Sequence, residues 1–449
     1  MEQHLSKETL EQLSGLFWAD ERNVAALNAV TAADIHQVAL NRGVVTATDH
    51  TFSIKLETPK ITNQRKSGRC WLFAGLNVLR LAARRKLNLE EFELSQNFLM
   101  FYDKLEKANY FLENILATLK EDRGGRLLMH LLADPIQDGG QWDMFANLVD
   151  KYGVVPKTAM PESASSGNTR AMNTLVTDKL REYAAELRRR AADGADLDEL
   201  RRRKAEMLAV VYRMLTIHLG EPPSRFFWQW RDKDGDFHRD GELTPREFYE
   251  RHAAPELDVE AFAGLIHCPT ADKPFDQLYT IDYLGNVAEG RIIRYLNLEL
   301  ETFKRAAVQM LQDGKPVWFG CDVGKRLGRK LGILAAELYR YDLVYGTEFT
   351  GDKAERVDYG QSVMTHAMVF TGVDLDDEGY PRKWRVENSW GEKLGDEGFM
   401  VMDDDWFDEF VFEVVVEKAY LGQTQRELLE TEPVHLPPWD PMGALAAAP

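Results

Sequence analysis

The stretch Gln64-Arg65-Lys66-Ser67-Gly68-Arg69-Cys70-Trp71-Leu72-Phe73-Ala74 decides how the rest of the chain is read. A polar loop containing Gly68 runs directly into Leu72, Phe73, Leu76, Leu79 and Ala83, the three- and four-residue spacing of a helix with a buried face. The spacing predicts a helix over 71–86 and sets Cys70 in its first turn. There the unpaired N–H groups and the positive end of the helix dipole favour a thiolate. Gln64, upstream on the loop, carries a side-chain amide able to donate to an oxyanion beside the sulfur. A cysteine in an apolar helix is by default a core residue, so the nucleophile reading depends on partners elsewhere.

Two later stretches supply them. Ser362-Val363-Met364-Thr365-His366-Ala367-Met368-Val369-Phe370 sets His366 in a short apolar, strand-like run. Lys383-Trp384-Arg385-Val386-Glu387-Asn388-Ser389-Trp390-Gly391 sets Asn388 and Trp390 at the end of another. In this reading Cys70 attacks, and His366 is its base and later the acid that protonates the leaving amine. Asn388 holds the imidazole in its orientation and tautomer. Trp390 covers the Asn–His hydrogen bond, and the Cys70 N–H with Gln64 forms the oxyanion hole.

The order Gln, Cys, His, Asn, with Asn-Ser-Trp-Gly at 388–391, resembles the papain-like cysteine peptidases. Ser-Gly-Arg-Cys-Trp stands where papain itself has Cys-Gly-Ser/Ala-Cys-Trp/Tyr, and His366 follows Cys70 by about 300 residues instead of about 130–150. Both departures, and the tail Pro438-Trp439-Asp440-Pro441-Met442-Gly443-Ala444-Leu445-Ala446, resemble the bleomycin hydrolase and aminopeptidase C branch. The resemblance covers nearly the whole chain. It implies an α+β fold of two lobes, one helical and one an antiparallel, barrel-like sheet, with a large inserted module. It also implies a cysteine aminopeptidase acting on peptides, with bleomycin-like amide hydrolysis as a side activity, assembled as a homohexamer around an internal chamber.

Composition fits that picture and excludes others. At 449 residues, 44% apolar and 29% charged, the chain reads as an ordinary globular protein with a sizeable core. Its net charge of −18 argues against general affinity for nucleic acid or anionic membrane. Three cysteines, Cys70, Cys268 and Cys321, are not a disulfide framework and fit a reducing compartment. Cys321, in the apolar run 317–321, reads as inert core. The polar N-terminus lacks a signal-peptide pattern, and no apolar run is long enough for a membrane span. The expectation is a cytoplasmic protein made active.

Along the chain, four ranges are expected. Residues 1–156 form the helical lobe, with helices over 7–17, 71–86, from Ser95 onward, and 142–152. Asp138-Gly139-Gly140 reads as a turn before the last of these; the resemblance makes Gly139 and Gly140 a shelf that pairs with bound peptide. Residues 157–266 form the inserted module, which the resemblance gives an oligomerisation hook. Helices are expected over 169–192 and 197–219, and the basic clusters Arg188-Arg189-Arg190 and Arg201-Arg202-Arg203-Lys204, mixed with Glu and Leu, read as solvated or subunit-contacting faces. Asp232-Lys233-Asp234-Gly235-Asp236 suggests a calcium loop, but Phe237 stands where the loop glycine belongs. It reads instead as a hairpin turn. No His/Cys cluster has ligand spacing, so no metal or other cofactor is expected.

Residues 267–431 form the β-rich lobe, with strands over 278–281, 291–296, 317–321, around His366 and Asn388, and over 399–402 and 410–416, and a helix over 299–312. Residues 432–449 are a proline-rich, extended tail anchored by Trp439, Met442 and Leu445. The resemblance places this tail in the cleft, with a terminal carboxylate near Ala446 that binds the substrate's amino group. Here Ala447-Ala448-Pro449 follow, and the expectation is that full activity needs a shorter tail. If the tail left the cleft open, the enzyme would be an endopeptidase or oligopeptidase. An acyltransferase and a nucleic-acid-binding assembly are the remaining alternatives.

Overall fold

The computed structural model describes residues 4–444. Leu445, Ala446 and Ala447–Pro449, on which part of the tail reading falls, lie outside the described residues.

The helix that opens at the nucleophile stretch runs Cys70–Leu87 and is buried continuously from Cys70 to Ala83. It stops because Asn88 takes the left-handed conformation (φ 51°) and its N–H turns back to the Arg84 and Arg85 carbonyls. A second helix, Gln96–Ala117, starts where the Ser95 hydroxyl accepts the Phe98 N–H at 3.1 Å. Its aromatic face, with Phe98, Phe101 and Phe111, is core. A third, Trp142–Tyr152, follows the Gly139-Gly140 turn.

Residues 157–266, expected as an inserted module, pack closely on the helices before them. The helices Arg170–Ala192 and Leu197–Leu219 form a hairpin packed on the Gln96–Ala117 helix. The basic clusters serve that packing. Arg188 donates to the Thr118 carbonyl at 2.8 Å, Lys204 and Arg201 pair with Glu113, and Arg190 and Arg203 share Glu186. The acidic loop is a hairpin turn between the strands Phe226–Arg231 and Phe237–Leu243, and Asp232 accepts the backbone N–H groups of Asp234 and Asp236. Among the described residues no group of His, Cys, Asp and Glu is placed to hold a metal ion.

The strands are β1 (Ile54–Lys55), β2 (Phe226–Arg231), β3 (Phe237–Leu243), β4 (Phe262–Ile266), β5 (Gln277–Ile281), β6 (Tyr295–Asn297) and β7 (Val317–Cys321). They continue as β8 (Leu327–Gly328), β9 (Ile333–Leu334), β10 (His366–Leu375), β11 (Pro381–Glu387), β12 (Phe399–Asp403), β13 (Val411–Glu417) and β14 (Val434–Leu436). One sheet runs β14-β5-β6-β4-β13-β7-β10-β11-β12-β9-β8, with β1 also on β10. From β4 to β12 every pairing is antiparallel, as expected. Parallel pairings of β14 with β5, β4 with β6 and β12 with β9 make the whole sheet mixed. β4, inside the range 157–266, belongs to this sheet.

The helical and sheet lobes meet along the Cys70–Leu87 helix, which lies on β10 and β7. Trp318 Nε1 of β7 donates to the Trp71 carbonyl at 3.3 Å across that seam. Buried Arg80 of the helix reaches Glu387 of β11 at 2.6 Å, so the two walls are also tied by an ion pair nearly without water access. No helix of the described chain is long and apolar enough to cross a membrane.

Candidate active site

Cys70, His366, Asn388, Gln64 and Trp390 come together at the seam. Cys70 is the first residue of its helix and has no exposed surface. His366 opens β10, opposite Cys321 of β7. The N–H of Ala367, the residue after His366, faces the Cys70 sulfur, which sets the nucleophile against the imidazole's own strand.

The imidazole's tautomer follows from its neighbours. His366 Nε2 lies 2.9 Å from Asn388 Oδ1, and that same oxygen accepts the Ser389 backbone N–H at 2.7 Å. An oxygen already accepting from a main-chain amide cannot donate, so Nε2 carries the proton and Nδ1 keeps its lone pair. Nδ1 is buried without a hydrogen-bond partner among the described residues. That is the state a general base needs. The Trp390 ring stands 4.9 Å from the imidazole, tilted 30°, and covers it as expected. Arg329, which the sequence reading missed, stacks on the outer side of Trp390 at 4.4 Å.

Burial acts on the charge of both reacting groups. Burial pushes the Cys70 thiol up to about 12, against the N–H groups of Ala367, Trp71 and Cys70 that favour the anion. Burial likewise holds His366 down to about 4, with the Asn388 hydrogen bond opposing. A helix N-terminus is worth about 0.3–1 kcal/mol to an anion near the surface, up to about 2 kcal/mol when partly buried. Desolvation of a fully buried group costs several times that. Burial thus works against the charged form of both groups, and the helix-start N–H groups and the Asn388 hydrogen bond work for it.

Gln64 is held by both lobes. Its N–H donates to the Ser389 carbonyl at 2.8 Å, and Gly391 N–H donates back to the Thr62 carbonyl at 3.0 Å. The Ser389 hydroxyl donates to Gln64 Oε1 at 2.6 Å, which leaves Nε2 as the donating end; Nε2 reaches the Ser67 carbonyl at 2.6 Å. The Ser-Gly-Arg element before Cys70 has its own reason. Buried Arg69 makes a two-pronged contact with Glu162, at 3.0 and 2.7 Å, and donates to the Ser67 hydroxyl at 2.9 Å. The residue next to the nucleophile is thus clamped to the start of the insertion.

Gly140 lies against the Trp71 ring so closely that a Cβ would stand 2.4 Å from it. The Gly139 carbonyl accepts from Lys107 Nζ at 2.7 Å. Next to this shelf is a cavity of about 540 Å³, lined by Ser67, Gly68, Asp138, Thr169 and Asn173 among others. The tail approaches from the far side: Gln141 Nε2, next to Gly140, donates to the Ala444 carbonyl at 2.9 Å. Lys273 and Asp440 form a buried pair at 3.1 Å, and Arg126 stacks on Trp439 at 3.9 Å. Met442 is buried, as the anchor reading expected, while Trp439 stays partly exposed.

A cysteine at a helix start, an imidazole oriented by an asparagine on the facing lobe, and a glutamine on the preceding loop define a cysteine peptidase of papain type. The chain belongs to the Peptidase C1-like family, whose model matches residues 4–443. It is 48% identical over 395 residues to aminopeptidase C of Listeria monocytogenes, covering 88% of each chain. It is 44% identical over 449 residues to bleomycin hydrolase of Gallus gallus, covering 98% of this chain and 99% of the relative. The crystal structure of PepW from Lactobacillus rhamnosis HN001 superposes with a TM-score of 0.97 at 46% identity, covering 99% of this chain and all of that one.

Proposed function

We propose that this chain is a cysteine aminopeptidase that removes N-terminal residues from peptides, with amide hydrolysis of bleomycin type as a side activity. The observation that carries the mechanism is the His366–Asn388–Ser389 arrangement, which fixes the proton on Nε2 and leaves Nδ1 as a base. Cys70 Sγ adds to the scissile carbonyl carbon as its proton passes to Nδ1. The C–N bond breaks as Nδ1–H protonates the leaving amine, giving a thioester. Water then adds, its proton going to Nδ1, and the C–S bond breaks as the sulfur recovers that proton. The oxyanion formed in each half is held by the Cys70 N–H and Gln64 Nε2. Gly139 and Gly140 carry the peptide backbone.

Supporting the exopeptidase part is the tail, docked beside Gly140 through the Gln141–Ala444 hydrogen bond and the Lys273–Asp440 pair. The relatives named aminopeptidase C and bleomycin hydrolase point the same way. In this reading a terminal carboxylate at Ala446, available once Ala447-Ala448-Pro449 are removed, receives the substrate's amino group. We further propose a self-associating, cytoplasmic enzyme, a homohexamer by resemblance. The helix Lys7–Trp18 buries none of its residues and leaves Leu10, Leu13, Leu16 and Trp18 largely exposed, which suits a subunit contact. The three free, buried cysteines suit a reducing compartment.

The test is hydrolysis of one fluorogenic peptide with its N-terminus free and again acetylated, with Cys70→Ala as blank. Cleavage of the free form alone is expected. Equal cleavage of both would refute the exopeptidase reading, and activity surviving in Cys70→Ala would refute the nucleophile.

A further inference from the structure

Asp138 has no part in the chemistry above, yet every acceptor position of its carboxylate is used. Oδ1 takes Lys104 Nζ at 2.6 Å and Asn173 Nδ2 at 2.7 Å. Oδ2 takes the Gly68 backbone N–H at 2.9 Å and the Thr169 hydroxyl at 2.5 Å. Its own carbonyl accepts Trp71 Nε1 at 2.6 Å. Gly68 and Trp71 stand on either side of Arg69 and Cys70, so this one residue grips the backbone before the nucleophile and the side chain after it.

The arrangement also reaches the insertion. Thr169 is the residue before the Arg170–Ala192 helix, where a hydroxyl normally caps the free N–H groups. Here Thr169 has helical backbone angles (φ −77°, ψ −18°) and makes no such bond, and its hydroxyl donates to Asp138. The insertion's entry loop is further laced to the nucleophile loop by Lys66 N–H to the Gly167 carbonyl and Thr169 N–H to the Lys66 carbonyl.

We propose that Asp138 is a positioning residue for Cys70: it locks the Gly68–Trp71 segment to the glycine shelf and to the insertion. The proposal rests on Cys70 being the nucleophile. Burial opposes the charge of Asp138, but Lys104 and the hydrogen bonds outweigh it and hold the carboxyl well below the usual range. The other charged groups nearby are Lys107, on the same helix as Lys104, Asp134 beyond the Arg126–Ala133 helix, and Arg170, Asp178 and Arg181 around the cavity. The charge of Asp138 acts against the Cys70 thiolate.

The test compares wild type, Asp138→Asn, Thr169→Val and Cys70→Ala, reading kcat and KM separately and the pH profile of iodoacetamide alkylation. Asp138→Asn keeps the shape, loses the charge and one acceptor, and is expected to lower kcat about 10- to 100-fold with KM within about threefold. Its alkylation midpoint is expected to fall by about half a pH unit or more, since a negative neighbour has gone. Unchanged kcat, an effect on KM alone, or an unmoved midpoint would overturn the proposal, and Thr169→Val, which loosens the same contacts without removing the charge, separates loss of packing from loss of charge. If Asp138→Asn does not fold, Thr169→Val decides: kcat falling severalfold at constant KM supports the lock, and unchanged kcat overturns it. Activity surviving in Cys70→Ala would instead remove the nucleophile assignment, and this proposal with it.

Discussion

Replacing Asp440 by alanine is expected to undock the tail and let the cleft accept blocked peptides. The carboxylate does two things: it pairs with Lys273 at 3.1 Å, where the side chains are 2% and 7% exposed, and it accepts the Met442 N–H at 2.8 Å. Breaking a buried ion pair by removing one partner costs about 3–5 kcal/mol when the other charge is stranded. Lys273 is not fully stranded, because the exposed Asp272 lies 2.9 Å away. A loss of about 2–3 kcal/mol of docking free energy is therefore the working figure, with the lost turn hydrogen bond included. At 1.4 kcal/mol per tenfold, the undocked population rises about 30- to 150-fold. What remains is the parallel pairing of β14 with β5, buried Met442, and the Arg126–Trp439 stack on a partly exposed ring. Two assays read this. Hydrogen exchange at the Met442, Gly443 and Ala444 amides should quicken while the β13 amides do not change, and hydrolysis of the acetylated peptide should rise relative to the free one. Asp440→Asn, which keeps an acceptor for Met442, should fall between. Exchange unchanged within about threefold, with acetylated peptide still refused, would refute the latch.

Other perturbations have equally definite outcomes. Gly140→Ala would drive a methyl into the Trp71 ring, so a loss of about 1–3 kcal/mol in denaturant midpoint and a raised KM are expected. Arg80→Met should strand the fully buried Glu387 and cost about 3–5 kcal/mol, and adding Glu387→Gln should recover part of that in a double-mutant cycle. Asp403 supplies a pH dependence: burial raises its carboxyl to about 6, against hydrogen bonds from Trp406 and Ala336. The folded state then keeps its proton between about pH 4 and 6 while the unfolded chain has lost it, so stability falls as pH rises through that window. Asp403→Asn removes this term, and its melting temperature should exceed wild type at pH 7, by about 1–3 kcal/mol of stability, with the gain vanishing near pH 4.

Short-range signals made the nucleophile helix, the Ser95 start, the helices over 142–152 and 197–219, and the hairpin after Phe226 legible, because caps, Gly-containing turns and apolar spacing are local. The misses were decided by partners far along the chain. A strand was expected over 291–296, but β6 begins only at Tyr295. The amide and carbonyl of Arg291 are taken by the Asn147 side chain and the Arg294 amide by Asp143, so no neighbouring strand is needed there. The run 410–416 hid the end of a helix, Asp404–Phe410, whose cap is Asp403 in a plain Asp-Asp-Asp-Trp signal. The identity of the catalytic residues could be read from residue type and order. The desolvation acting on them could not, because a seam between lobes appears in no local pattern.

Each chemistry-bearing residue is flanked in sequence by residues that fix it. Asn388 stands between Glu387, tied to Arg80, and Ser389, tied to Gln64. Cys70 stands between Arg69, clamped to Glu162, and Trp71, held by the Asp138 and Trp318 contacts. The lobes are thus registered by bonds one residue away from the reacting atoms, where a shift of an ångström would carry directly to sulfur or imidazole. This explains why the motif is contiguous on both sides of the cleft: Ser-Gly-Arg-Cys-Trp and Glu-Asn-Ser-Trp-Gly are each a reacting or orienting group with its own fasteners. It also gives the insertion a second task. Glu162 ends on Arg69 of the nucleophile loop, and Thr169 and Asn173 end on Asp138, which holds the Gly68 N–H, so removing the insertion should abolish activity even in a chain that still folds its helical and sheet lobes.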